Sequence, residues 1–288
     1  MKRIIFALFV PIFLILFGCK KDGESCDGNN NASTISHDGL DREYILYVPS
    51  SYDGNSSVPM VLNFHGYGGT ATNFIQDADM RQQAEADTFI LVYPQGSCLE
   101  GSSHWNACPN GGDNKSSTDD LGFIEALIDH LDANYNIDEE RVYAVGYSNG
   151  GMMAYGLANY RSEKIAAVGS VSGTMLDCIG PTSHPMPVIH LHGTSDGVLP
   201  YNGGSDFNSA QFVLNHWISH NNTNSTPITT SSGSIDHYLY DQGDSSVSVE
   251  HYKYNGGGHD WFSSTYQSKT TSQLVWDFFS KYDINGLR

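Results

Sequence analysis

Positive charge is scarce in this sequence. Its 288 residues carry 14 Lys and Arg against 32 Asp and Glu, a formal net charge of −18. The acids are spread along the chain and read as a solvated surface. They argue against nucleic acid or any other polyanion as a partner. Cysteine is scarce as well: there are five, with no Cys-x-x-Cys pair and no Cys/His spacing that would hold zinc. No metal or organic cofactor is expected. No apolar run reaches the ~20 residues of a membrane-spanning helix; the run over 4–17 has 14. No internal repeat and no second hydrophobic core can be traced, so one folded domain is expected. The 39% of hydrophobic and 12% of aromatic residues suffice for its core.

Lys2 and Arg3 precede that apolar run, which ends in Leu16-Phe17-Gly18-Cys19. A charged start, a short apolar stretch and small residues make an export leader. Its end resembles the lipobox of bacterial lipoproteins. That resemblance implies a signal peptide over 1–18 and lipidation of Cys19, which would anchor the chain to a membrane. A polar tether over 19–36 and a folded domain over 37–288 are then expected. The predicted location is the cell envelope (outer membrane or cell surface), or the exterior if the leader is an ordinary secretory one. Outside the cytoplasm, Cys26, Cys98, Cys108 and Cys178 are expected to form disulfides. Four cysteines allow three pairings; Cys98 with Cys108, bracketing one loop, is the first choice.

Apolar runs over 59–64, 88–93, 165–171 and 188–191 read as strands buried on both faces, and 43–48 and 247–254 as alternating strands. Helical spacing appears over 121–131, 206–218 and 272–282, with Ser117 and Asp120 as the capping pair of the first. The Asn/Thr/Ser/Gly-rich 221–247 reads as a loop and an edge hairpin. Alternating strands and helices predict a mostly parallel sheet covered on both faces. Functional residues then gather at the carboxyl ends of its strands.

The chain is organised around Gly146-Tyr147-Ser148-Asn149-Gly150, set between an apolar strand and a small-residue helix start over 151–157. Taken alone it could be a glycine-rich turn. In its context it fits a nucleophile elbow, a turn so tight that side chains two before and two after the serine would collide. A serine hydroxyl needs a base and a third group to orient that base. Asp196 follows the strand ending at 191, and His259 follows the strand ending at 254 behind Gly256-Gly257-Gly258. The order Ser148, Asp196, His259 is that of a hydrolase triad on such a sheet. Asp206 and Asp260 are competing acids. His190 and His251 read as structural, and His65 and His192 as braces of strand ends. Asn149 N–H and Tyr67 N–H, with Gly68 second, are the expected oxyanion donors. Asp119-Asp120 reads as a helix cap rather than a catalytic pair. Trp105, Tyr67, Tyr201 and Trp261 are candidates for an aromatic substrate wall.

Together, His65-Gly66-Tyr67-Gly68, Pro94-Gln95-Gly96, Trp105-Asn106, Asp119-Asp120-Leu121-Gly122-Phe123, Gly146-Tyr147-Ser148-Asn149-Gly150-Gly151-Met152, His192-Gly193-Thr194-Ser195-Asp196 and Gly257-Gly258-His259-Asp260-Trp261 resemble the polyhydroxybutyrate-depolymerase/feruloyl-esterase branch of the α/β-hydrolases, within carbohydrate esterase family 1. The resemblance spans about residues 35–285. It implies an α/β-hydrolase fold without a large cap domain. It also implies a serine esterase acting through Ser148, Asp196 and His259, on aryl or acetyl esters of plant polysaccharide or on hydroxyalkanoate polyesters. With no polymer-binding domain apparent, polysaccharide-linked or oligomeric esters are the favoured expectation. A serine peptidase would be expected to show a propeller or helical cap. A non-catalytic surface binding module would be expected to have lost a triad member, and none is missing.

Overall fold

The computed structural model describes residue 26, residues 32–109, residue 112 and residues 114–288. The expected leader, Cys19 and most of the expected tether lie outside the described residues. The tether's last residues do not: β1 (Ser33–His37) pairs antiparallel with β2 (Leu40–Tyr47), so the ordered fold begins ahead of the predicted boundary at 37.

The chain continues through β3 (Val58–Phe64), α1 (Ala71–Asp77), α2 (Arg81–Asp87) and β4 (Ile90–Pro94), then a small hairpin of β5 (Ser97–Leu99) and β6 (Ser102–His104). α3 (Asp120–Asp132), β7 (Ile137–Tyr147), α4 (Asn149–Tyr160), β8 (Ala167–Val171) and β9 (Val188–Gly193) follow. The remainder is α5 (Ala210–His220), β10 (Ile228–Ser232), β11 (Ile235–Tyr240), β12 (Val249–Tyr254), α6 (Thr271–Phe279) and a short pair, β13 (Tyr282–Asp283) and β14 (Gly286–Leu287).

Ten strands form one sheet in the order β1-β2-β4-β3-β7-β8-β9-β12-β11-β10. The central strands, β4 through β12 in that order, all run parallel, and an antiparallel pair closes each edge. Strict alternation sends side chains to two cores. Met60, Leu62 and Phe64 of β3 and Val142 and Ala144 of β7 join Leu121, Ile124, Met153 and Trp217 under α3, α4 and α5. Val61, Tyr143 and Val145 face the other way, to Phe74, Ala84, Trp276 and Phe278 from α1, α2 and α6. Both faces being covered is why the central strands are continuous apolar runs. Because they are parallel, the ends of β3, β7, β9 and β12 open on the same edge, which brings residues near 66, 148, 196 and 259 together.

Candidate active site

β7 delivers the chain to Ser148 at φ 55°, ψ −119°, a backbone region that non-glycine residues avoid and that stores roughly 1–3 kcal/mol of strain. The elbow holds because its flanking positions have no side chains. A Cβ on Gly146 would come 2.3 Å from the Gly150 carbonyl carbon, and one on Gly150 would come 2.1 Å from the Phe64 carbonyl oxygen. The collision foreseen from the sequence is therefore with rigid backbone of the elbow itself and of β3.

Ser148 Oγ lies 2.9 Å from His259 Nε2, and His259 Nδ1 lies 2.8 Å from Asp196 Oδ2. With Nδ1–H donating to the carboxylate, Nε2 is left as the acceptor of the serine proton. Burial pushes the Asp196 carboxyl up, but hydrogen bonds from His192, His259, Leu199 N–H and Val198 N–H outweigh it and hold the group well below the usual carboxylate range. The loops bearing Asp196 and His259 are locked together: Thr194 N–H donates to Tyr254 O at 2.9 Å and Ser195 N–H to Gly257 O at 2.9 Å. Gly193 permits this approach, since a Cβ there would meet Gly257 O at 2.2 Å. Tyr147 braces His259 through a hydroxyl bond to its carbonyl oxygen (2.8 Å) and a ring contact at 5.0 Å. Nothing local in the sequence connects 147 with 259. Of the competing acids, Asp206 lines a separate hollow with Met175 and Asn208, and Asp260 engages Ser172 through its backbone.

Gly68 N–H is already committed to Ser103 O at 2.8 Å. Among the described residues, Tyr67 N–H and Asn149 N–H donate to nothing, Asn149 standing at the unpaired start of α4. The Asn149 side chain has a second task that the sequence does not reveal. Its Oδ1 accepts Trp105 N–H at 2.7 Å and its Nδ2 donates to Trp105 O at 3.1 Å, clamping the loop that carries the tryptophan. The Trp105 indole N–H donates to His65 O at 3.0 Å. His65 is the predicted strand-end brace, its Nδ1 on Gly66 O and its Nε2 accepting Gly96 N–H.

A cavity of about 250 Å³ opens at Ser148, lined by Tyr67, Trp105, Lys115, Asn149, Met152, Leu176, Val198, Leu199 and Phe207. The Lys115 ammonium sits 5.2 Å from the centre of the Tyr67 ring. Two of the four aromatic candidates thus share this wall, and two do not. Tyr201 turns inward, its hydroxyl 2.8 Å from Nε2 of the buried His251. Trp261 packs edge-on against Phe74 and borders hollows of about 330 and 390 Å³ with polar linings of Ser, Asn, Asp and Gln. Those hollows are larger, but Ser148 is not in them.

Two further expectations are corrected. Cys98 bonds Cys26, and Cys108 bonds Cys178, in place of the predicted Cys98–Cys108 bridge. The second bridge ties the Trp105 loop to the segment carrying Leu176, the two walls of the cavity. The cap of α3 is Asp119, which accepts Gly122 N–H, not Ser117 with Asp120. Asp120 is instead a buried anchor: Arg42 pairs with it at 2.7 Å, and it also accepts Asn106 N–H and the Ser97 hydroxyl.

Residues 39–196 match the model of a family named Esterase, more than half of the chain. The chain belongs to the Esterase family. It is 31% identical over 244 residues to "Probable feruloyl esterase C" of Aspergillus clavatus, covering 83% of each protein. It is 29% identical over 248 residues to the bifunctional acetylxylan esterase/xylanase XynS20E of Neocallimastix patriciarum; that match takes in 86% of this chain but only 34% of the relative. The fold is similar to that of an acetyl xylan esterase from Aspergillus awamori, with a TM-score of 0.66, 15% identity and coverage of 86% and 98% of the two chains. The protein is a carboxylic ester hydrolase on an α/β-hydrolase fold.

Proposed function

We propose that this esterase cleaves feruloyl esters, and secondarily acetyl esters, borne by plant polysaccharide or its oligomers, through an acyl-enzyme on Ser148. The observation that carries this reading is the hydrogen-bonded chain Ser148–His259–Asp196 ending in an aromatic-walled cavity. An acetyl group occupies roughly two water volumes, ~60 Å³. A cavity of about 250 Å³ between Trp105, Tyr67 and Met152 has room for a phenolic acyl group. The names of the relatives support the same substrate class.

Ser148 Oγ attacks the ester carbonyl as its proton passes to His259 Nε2. Asp196 keeps His259 in the Nδ1–H tautomer and stabilises the imidazolium that forms. The N–H groups of Asn149 and Tyr67 hold the oxyanion; each such donor accounts for roughly 10²–10³ in kcat. His259 then protonates the departing alcohol oxygen, takes a proton from water as that water attacks the acyl carbon, and returns the proton to Ser148 Oγ as the acid leaves. The two disulfides support an oxidising compartment outside the cytoplasm. The lipobox-like Leu16-Phe17-Gly18-Cys19 supports a membrane anchor. The test is a product panel over methyl ferulate, acetylated xylan and hydroxybutyrate oligomers. The reading expects the highest kcat/KM on the ferulate; a clear preference for hydroxybutyrate would replace the substrate with a polyester.

A further inference from the structure

Three histidines occupy sheet positions where apolar side chains would be expected. His190 and His192 of β9 and His251 of β12 point to the face packed by α4 and α5, and all three are at most 1% exposed. Burying polar rings costs free energy unless every nitrogen is bonded, and here every nitrogen is. His192 Nε2 lies 2.8 Å from Leu199 O and 3.2 Å from Asp196 Oδ2. His192 Nδ1 lies 3.3 Å from His190 Nε2, and His190 Nδ1 lies 2.9 Å from the Tyr155 hydroxyl. His251 Nδ1 faces His190 O at 2.9 Å, and its Nε2 faces the Tyr201 hydroxyl.

The proton positions follow from the partners. A carbonyl oxygen and a carboxylate oxygen only accept, so His192 Nε2 carries hydrogen. In the order that leaves every ring uncharged, His192 Nδ1 accepts from His190 Nε2–H, and His190 Nδ1 accepts from the Tyr155 hydroxyl. His251 donates from Nδ1 to His190 O and accepts from Tyr201. Burial, together with the neighbouring rings, holds His190 well below the usual imidazole range, and burial takes His251 down to about 3, in keeping with neutral rings.

The consequence lies at the acid. Asp196 Oδ1 is held by Val198 N–H and Leu199 N–H, both at 2.8 Å, while Oδ2 receives His259 and His192 from two directions. We propose that His192 is a positioning residue for the triad, its Nε2–H fixing Asp196 Oδ2 against His259, with His190 and Tyr155 holding that proton in place. The role rests on the esterase reading above. Without the second donor, Asp196 keeps its backbone bonds but can rotate its Oδ2, and its charge is less shared. His259 is then less well aimed and faces a carboxylate of more concentrated charge.

The test compares His192→Gln with His192→Asn. The glutamine amide reaches the Nε2 position, whereas the asparagine amide stops at the Nδ1 position; both are polar, and melting curves establish that both fold. With p-nitrophenyl acetate, His192→Gln is expected to stay within about threefold of wild-type kcat/KM. His192→Asn is expected to lose roughly tenfold to a hundredfold, with the acidic limb of its pH profile moved up by roughly half a unit. A second readout needs no turnover: the low-field proton resonance of His259 Nδ1–H, absent from a His259→Ala control, titrates at the same midpoint. Equal activity and equal midpoints in folded Gln and Asn variants overturn the proposal. So does an equal loss in both with an unmoved midpoint, which marks a packing role. If the midpoint moves as expected while wild-type turnover does not depend on Ser148, the positioning role stands and the esterase mechanism falls.

Discussion

Asn149→Ala separates what this residue does through its backbone from what it does through its side chain. The variant keeps the N–H at the start of α4 and removes both bonds to Trp105 (2.7 and 3.1 Å). Trp105 is 2% exposed, so its N–H and C=O lose their partners where water has little access. An unsatisfied buried polar group costs roughly 1–3 kcal/mol. Two of them, partly relieved by relaxation, come to about 2–4 kcal/mol, or a melting point lower by roughly 5–10 °C. The loosened tryptophan should raise KM for methyl ferulate by roughly tenfold, about 1.4 kcal/mol, and KM for p-nitrophenyl acetate far less. Because the oxyanion donor remains, kcat on the acetate should fall by less than about tenfold, whereas Ser148→Ala should remove roughly 10⁴-fold or more. Differential scanning calorimetry and steady-state kinetics on both substrates read these quantities. A wild-type melting point with parallel KM changes would refute the clamp. A kcat loss approaching that of Ser148→Ala would mean that the side chain itself takes part in the chemistry.

Gly150→Ala drives a Cβ into the Phe64 carbonyl oxygen at 2.1 Å; it should cost about 1–3 kcal/mol or more and at least ~10² in kcat through displacement of Ser148. Gly197→Ala, with nothing within 4 Å of its Cβ, is the matched control and should stay within about 0.5 kcal/mol of wild type. Asp196 has a depressed carboxyl pKa in the folded state, so its stabilisation is complete above the unfolded value of about 3.9 and is lost as pH falls through the folded value. The melting-point gap between wild type and Asp196→Asn should therefore be widest near pH 6 and narrow below about pH 4; a gap constant over that range would contradict the assigned bonds. Replacing Cys108 and Cys178 by serine removes a cross-link over 70 residues, for which chain entropy gives about 4 kcal/mol. It should also raise KM for the ferulate, since it releases one cavity wall from the other; unchanged stability would count against the Cys108–Cys178 pairing.

How much of this could be read from the chain depended on the range over which each residue acts. The apolar runs over 59–64 and 188–191 announced buried strands because both faces of a parallel sheet are covered, and β3 and β9 begin and end within a residue or two of them. Ser148, Asp196 and His259 were legible because each follows a strand, with glycines shaping the approach. α1 and α2 were not anticipated: each has seven residues, and only three and two of these are buried, too few to show a helical stripe. Asp120 was read as a cap because the sequence does not show that Arg42, 78 positions away, will be buried against it. Tyr201 was a candidate for the aromatic substrate wall because its partner, His251, comes from a strand 50 residues on. The cysteine pairing was misjudged for the same reason, since both bridges join segments at least 70 residues apart.

The central claim is that hydrolysis passes through an acyl group on Ser148. Rapid quenching in acid after mixing with methyl ferulate, followed by intact mass and peptide mapping, tests it directly. The account predicts a feruloyl adduct confined to the peptide bearing Ser148, accumulating with a burst of methanol and absent from Ser148→Ala. An adduct on another residue, or undiminished turnover in Ser148→Ala, would contradict it.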